Sequence, residues 1–358
     1  MFKWQLINDS ITNEDKKSLI DHISLDGVRF TQGAKVKEFE KVWSDWLGVK
    51  HSVFVNSGAS ANYIMVSILK ELKGYGEVIV PTLGWVSDVS PIVNLGLKPV
   101  FVDVSPNTFS TDIEKILPLV NENTIGLTLV HCLGFNSISD KIINFCKEKN
   151  IAFIEDACQA LGSSLNGVKA GSIGDISTLS FNANKVVAGI AGGGAVLTDD
   201  KEKAEIFKKL RKHGDHEMLG YNSKMLVFNA EFINFRLKRM EQHQFSRQHT
   251  AKIYNDAFKD LPVHVQVDNL NGLNHNYHKY VVRFENKEIR DKVKERLGAS
   301  VHYGKPISEN VMYQNISHRK DDCKNSKQVS ETILTLPIGP HMTNDEVYKI
   351  ANVVTVSV

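Results

Sequence analysis

The chain has 358 residues, 42% hydrophobic and 23% charged, with a formal net charge of +2: ordinary globular composition, with room for a large domain and a smaller one. So small a charge excess argues against nucleic acid or an anionic membrane as partner, and no apolar run approaches the ~20 residues of a membrane helix. The opening MFKWQLINDSITNEDKK is too polar for a signal peptide, and the four cysteines (Cys132, Cys146, Cys158, Cys323) form no CxxC pair, which fits a reduced, cytoplasmic compartment better than a disulfide framework.

From about residue 50, short apolar runs alternate with helical segments. HSVFVN (51–56) reads as a strand, and SGASANYIMVSILKEL follows with Ile64, Met65, Ile68, Leu69 and Leu72 at helical spacing. EVIVPT, KPVFVDV, TIGLTLVH, IAFIED and ISTLSF read as further strands, several of them continuously apolar, as strands buried on both faces are. Helical stretches such as SDKIINFCKEKN separate several of them, so the pattern predicts an α/β sheet, largely parallel and covered by helices. The character changes after about residue 205. A long charged helical region near 229–258, a strand HKYVVRFE, a helix EIRDKVKERLG and a capped terminal helix beginning at TNDEV predict a smaller α+β domain. The division falls at residues 1–215, the large cofactor domain with an N-terminal segment, and 216–358, the smaller domain with the interdomain or dimer helix. The charged helices around 201–217 and 229–258 read as solvated faces or dimer surface.

Ligands of open α/β sheets bind beyond the carboxyl ends of the strands. After VFVN comes SGAS, where Gly58, Ala59 and Ser60 open a helix whose amides can receive an anion; a plain cap by Ser57 or Ser60 would read the same way. After VIVPT comes Trp85, a flat aromatic that could equally pack a core. After IAFI comes Asp156, a carboxylate in need of a partner or a helix cap. After ISTL come Ser180, Phe181 and Lys185. Together these supply an anion cradle, a stacking face, a carboxylate, a hydroxyl and an amine, the set that pyridoxal 5'-phosphate requires. HGDHE (213–217) reads as a solvated loop, and no metal site is expected. The glycines 192–194 do not make a dinucleotide fingerprint.

Several motifs carry a family resemblance: TQGAKVKEFEKVWSDWLGVKHSVFVNSGAS, EVIVPTLGWVSDVSPIVNLGLKPVFVDV, IEDACQALGSSLNGVKAGSIGDISTLSFNANK, LGYNSKM and VHYGKP. With these the chain resembles the DegT/StrS family of sugar aminotransferases over nearly its whole length. The resemblance implies the fold-type I architecture of aspartate aminotransferase, with a mostly parallel seven-stranded sheet in the large domain. It implies that Asp156 pairs with the pyridine nitrogen, Gln159 lies near the phenolic oxygen, Trp85 stacks on the ring, Ser180 binds phosphate and Lys185 forms the Schiff base. It further implies that Asn222 reaches the phosphate of the neighbouring subunit, hence a homodimer with shared active sites, and that His302 and Tyr303 lie near the substrate, where a structural role is as well supported.

The implied reaction moves an amino group from L-glutamate to a nucleotide-linked keto sugar, with surface polysaccharide or glycoconjugate synthesis as the setting. SFNANK is similar to members that aminate UDP-linked 4-keto sugars. Three departures stand out. SGAS replaces the family's SGT, so the phosphate hydroxyl could come from Ser60. Ser223 and Lys224 follow GYN where many members have arginine. HCLGFN resembles a dehydratase-like branch whose members replace the lysine by histidine, which keeps a 3-dehydratase of 4-keto sugars as the alternative; the retained Lys185 favours transamination. A non-catalytic regulator is a third possibility, against which stands the lack of a basic arm.

Overall fold

The computed structural model describes residues 11–24, 30–268 and 270–358; most of the stretch read as too polar for a signal peptide lies outside the described residues. Seven strands form the core of the sheet: β1 (His51–Val55), β2 (Glu77–Pro81), β3 (Lys98–Val102), β4 (Thr124–Val130), β5 (Ala152–Asp156), β6 (Ile176–Ser180) and β7 (Gly194–Thr198). Their order is β1-β7-β6-β5-β4-β2-β3. β7 runs antiparallel to both neighbours and the other pairings are parallel. Every residue of β2, β6 and β7 is buried, which is why the runs are apolar on both faces.

Two features depart from the sequence reading. β7 hides behind the glycine run, and its first residue has to be glycine: a Cβ on Gly194 would come within 2.4 Å of the Ser57 carbonyl oxygen. An eighth strand, Arg319–Lys320, extends the sheet expected to have seven by pairing with the outer edge of β3. Arg319 is held there by Glu77, to which its Nε donates at 3.0 Å. Two cationic residues carry no strand pattern, so an ion pair places this strand where hydrophobic patterning does not.

The helix Gly58–Lys73 packs Ile64, Met65, Ile68 and Leu69 against the sheet, while Leu72, expected beside them, is 51% exposed. On another side the helix Ala34–Leu47 buries Trp43 edge-on against Phe181 at 5.0 Å, which fixes the chain just beyond β6. The helical region near 229–258 is two helices, Val227–Leu237 and Met240–Phe258. Their charges are not all solvated. Arg236 and Arg247 are 1% and 0% exposed and donate to carbonyl oxygens, Arg236 to Ala188 and Arg247 to Tyr277. A three-stranded antiparallel sheet (Val263–Val265, Tyr280–Phe284, Ile333–Leu336) packs with Met240–Phe258, Lys287–Leu297 and Asn344–Thr355 into a further core. The last of these helices starts with the expected cap, a Thr343–Glu346 capping box. Among the described residues no helix is long and apolar enough to cross a membrane, and all four cysteines are free.

Candidate active site

β1, β2, β4, β5 and β6 point the same way, so the loops after them converge on one cavity of about 270 Å³. Of the residues singled out in the sequence, Gly58, Ala59, Trp85, Asp156, Gln159, Ser180, Lys185, His302 and Tyr303 line it. A groove of about 360 Å³ bordered by Leu69, Cys146 and Lys203 contains none of them.

The anion cradle is built by close packing. Ser57 caps the helix Gly58–Lys73, its Oγ accepting from the Ser60 amide at 3.0 Å. Gly58 then lies so close to Ser180 that a Cβ would sit 2.8 Å from the serine Cβ and 2.9 Å from its Oγ. The absence of a side chain thus brings helix N-terminal amides and a strand-end hydroxyl to one point. Ser60 is not brought to the cavity lining; its hydroxyl donates to Asn56 Oδ1 at 2.7 Å. A third-residue position on the helix turns it back toward the cap.

Asp156 ends β5, is 2% exposed, and its Oδ1 accepts from the Cys158 amide at 2.9 Å. The strand's alternation sends the preceding acid elsewhere. Glu155 takes a hydrogen bond from His131 Nε2 at 2.8 Å and accepts the amides of Gly171, Ile173 and Gly174. Burial acts to raise the Glu155 carboxyl, but His131 and these amides outweigh it and hold it below its ordinary value. Glu155 therefore ties down the loop after β5 while Asp156 faces the ligand space. Trp85 is 58% exposed at the cavity rather than packed in a core, leaving a ring face for a ligand. Gln159 Oε1 accepts from the Leu133 amide at 3.0 Å.

Lys185 follows β6 by a turn in which its amide donates to the Asn182 carbonyl. Asn222 is exposed and lies off the cavity of its own chain. His302 Nδ1 contacts Thr335 Oγ1 at 2.9 Å, and burial, with the charges of Lys279 and Lys185, lowers the imidazole to about 4.

The cavity also contains residues that the sequence reading passed over: Asp88, His278 and Lys279. His278 and Lys279 head the strand HKYVVRFE, where a polar pair before a buried run was the available signal. Asn276 positions them, its Oδ1 accepting from the His278 amide at 2.8 Å. Burial, with the charges of Arg247 and Lys185, lowers the Lys279 amine to about 8.

An open, mostly parallel sheet with an anion cradle, a strand-end carboxylate and a lysine at its carboxyl edge is the fold-type I arrangement of pyridoxal-phosphate aminotransferases. The DegT/DnrJ/EryC1/StrS aminotransferase family matches residues 10–355, and the chain belongs to that family of pyridoxal-5'-phosphate-dependent sugar aminotransferases. It is similar to the UDP-N-acetyl-3-dehydro-alpha-D-glucosamine 3-aminotransferase of Acidithiobacillus ferrooxidans, 27% identical over 92% of this chain and 90% of that protein. It is also similar to the GDP-4-keto-6-deoxy-D-mannose 3-dehydratase of Yersinia pseudotuberculosis, 30% identical over 71% of each chain. Among solved structures, Spr1654 of Streptococcus pneumoniae in its PLP form is 25% identical, superposing at TM-score 0.90 over 99% of this chain and 98% of the other.

The residues present fit pyridoxal 5'-phosphate. The cradle that a Cβ on Gly58 would fill suits a phosphate, and the buried carboxyl of Asp156 suits a pyridine nitrogen.

Proposed function

We propose that this enzyme transfers an amino group from L-glutamate to a nucleotide-linked 4-keto-6-deoxy sugar, giving an amino sugar for surface polysaccharide or glycoconjugate synthesis, and that it works in the cytoplasm as a homodimer with shared active sites. The observation that carries this reading is the convergence of Lys185, Asp156, Trp85 and the Gly58–Ser180 cradle on one cavity. When bound, pyridoxal phosphate supplies a conjugated electron sink. The amides of the first helical turn and Ser180 Oγ hold its phosphate. Trp85 would cover a ring face, Asp156 would pair with the ring nitrogen, and Gln159 would serve the phenolic oxygen. Lys185 would hold the cofactor through its amine. Its Nζ would be the base that moves the proton at the donor Cα. His302, held neutral, and Tyr303 line the same space and contact the sugar.

A 3-dehydratase is the second reading, favoured by the similarity to the Yersinia enzyme. The retained lysine argues for amination. The test is mass spectrometry of products from a panel of nucleotide keto sugars incubated with glutamate and cofactor. A gain of an amine supports the proposal, and loss of a hydroxyl without amination overturns it.

A further inference from the structure

Next to Asp156 lies a second buried acid that the proposed function leaves without a role. Asp88 ends the turn Val86–Asp88, three residues past Trp85, is 4% exposed and lines the cavity. One amide joins the two acids: Asn62 Nδ2 donates to Asp88 Oδ1 at 3.2 Å and to Asp156 Oδ2 at 3.3 Å. The two carboxyls thus share one amide nitrogen and lie side by side. Two carboxyls in contact inside a protein do not both ionise, so the pair holds one proton near neutral pH.

The donors decide where that proton rests. Asp156 receives a main-chain amide, from Cys158, at 2.9 Å, whereas the amide that Asp88 receives, from Trp85, is 3.4 Å away. The weaker donor leaves the proton on Asp88. Burial and the charge of Asp156 push Asp88 well above the ordinary carboxyl range, which agrees. The nearby amine of Lys185 acts on Asp88 in the opposite direction. Cys132, Cys158, Tyr303 and Tyr313, which feel the acids, are all raised by burial and remain neutral.

We propose that Asp88, protonated, donates a hydrogen bond to Asp156 and so keeps Asp156 a weak enough base for the proton to stay on the cofactor's ring nitrogen. The proposal rests on the assignment of Asp156 to that nitrogen made above. A donor to a carboxylate lowers its proton affinity. Without the donor, a buried Asp156 would be the stronger base, would draw the proton across, and would leave a neutral ring that accepts electrons poorly. On this proposal Asp88 acts through Asp156, so it is a positioning residue.

The test uses full-length protein reconstituted with pyridoxal 5'-phosphate carrying nitrogen-15 in the ring, and reads the ring-nitrogen chemical shift by NMR. In the unaltered protein the shift should be that of a protonated pyridine. Asp88→Asn, whose amide can still donate, should keep it. Asp88→Ala should move it toward neutral pyridine and lower kcat at least tenfold with little change in KM. An Asp88→Ala protein that keeps the protonated shift overturns the proposal. Should that variant fail to fold, an Asp88→Asn protein that loses the protonated shift overturns it equally. A neutral ring nitrogen in the unaltered protein, or one still protonated in Asp156→Asn, would instead overturn the Asp156 assignment, and that result is read before any Asp88 variant.

Discussion

Two lysines line the cavity, and their chemistry and their positions point in different directions. Lys279, lowered to about 8, is half neutral at that pH. Lys185 follows the strand that ends in Ser180, beside the phosphate cradle, and position should prevail. Borohydride reduction of the holoenzyme is therefore expected to fix the cofactor to the Lys185 peptide alone; a label on Lys279 would reverse the assignment. Asp156→Asn should keep the fold and lower kcat by about 10²–10³-fold, the size of a lost preorganised electrostatic contact, since a neutral amide cannot hold the ring proton; near-normal turnover would refute its role. For Lys279 the folded value lies below the ordinary 10.5, so burial of the charged amine destabilises the cofactor-free protein below pH 8, and that penalty fades as pH rises from 8 toward 10.5. Lys279→Met should accordingly raise the denaturation midpoint at pH 7 and lose most of that gain at pH 10. At this scale the sequence revealed the residues that end strands, because a polar residue after an apolar run announces itself. Asp88 and Asn62 did not announce themselves: their meaning comes from neighbours far along the chain, as Asn62 meeting Asp156 illustrates.

The element that does most to build the site is the helix Gly58–Lys73, and its position depends on two glycines. Gly58 approaches Ser180 and Gly194 approaches Ser57, so β6, β7 and the helix start are pressed together without side chains between them. Gly58→Ala should overpack this junction at a cost of about 1–3 kcal/mol and separate the amides from the Ser180 hydroxyl. Cofactor affinity, measured by equilibrium dialysis, should fall at least tenfold while the helix content seen by circular dichroism remains; unchanged affinity would mean that the cradle lies elsewhere. The parallel strands were legible because burial on both faces makes each a continuous apolar run. β7 was obscured by the glycines that make its close approach possible, and Arg319–Lys320 by lacking any apolar pattern, being placed by contacts of Arg319 to Glu77 and the Leu119 carbonyl. The same limit explains why the charged helices were misread in part: nothing in the local pattern distinguishes Arg247, buried against the Tyr277 carbonyl, from a solvated arginine.

At the scale of the whole molecule, Asn222 poses the question of assembly. It is exposed, its backbone bridges to Lys212, and it does not line the cavity of its own chain. On the proposed reading it serves the cavity of a second copy, so each complete site combines Lys185 of one chain with Asn222 of the other. A closed two-fold dimer would then contain two such composite sites. This makes a quantitative expectation for subunit mixing. Lys185→Ala and Asn222→Ala homodimers should each be nearly inactive. Random re-pairing of equal amounts makes about half the dimers mixed, and each mixed dimer has one site with both residues intact, so about a quarter of the wild-type activity should return. A site confined to one chain gives a different result: Asn222→Ala protein would retain activity alone, and mixing would restore nothing. Sedimentation at assay concentration supplies the companion measurement, since a fully active monomer is incompatible with a composite site however the mixing experiment turns out.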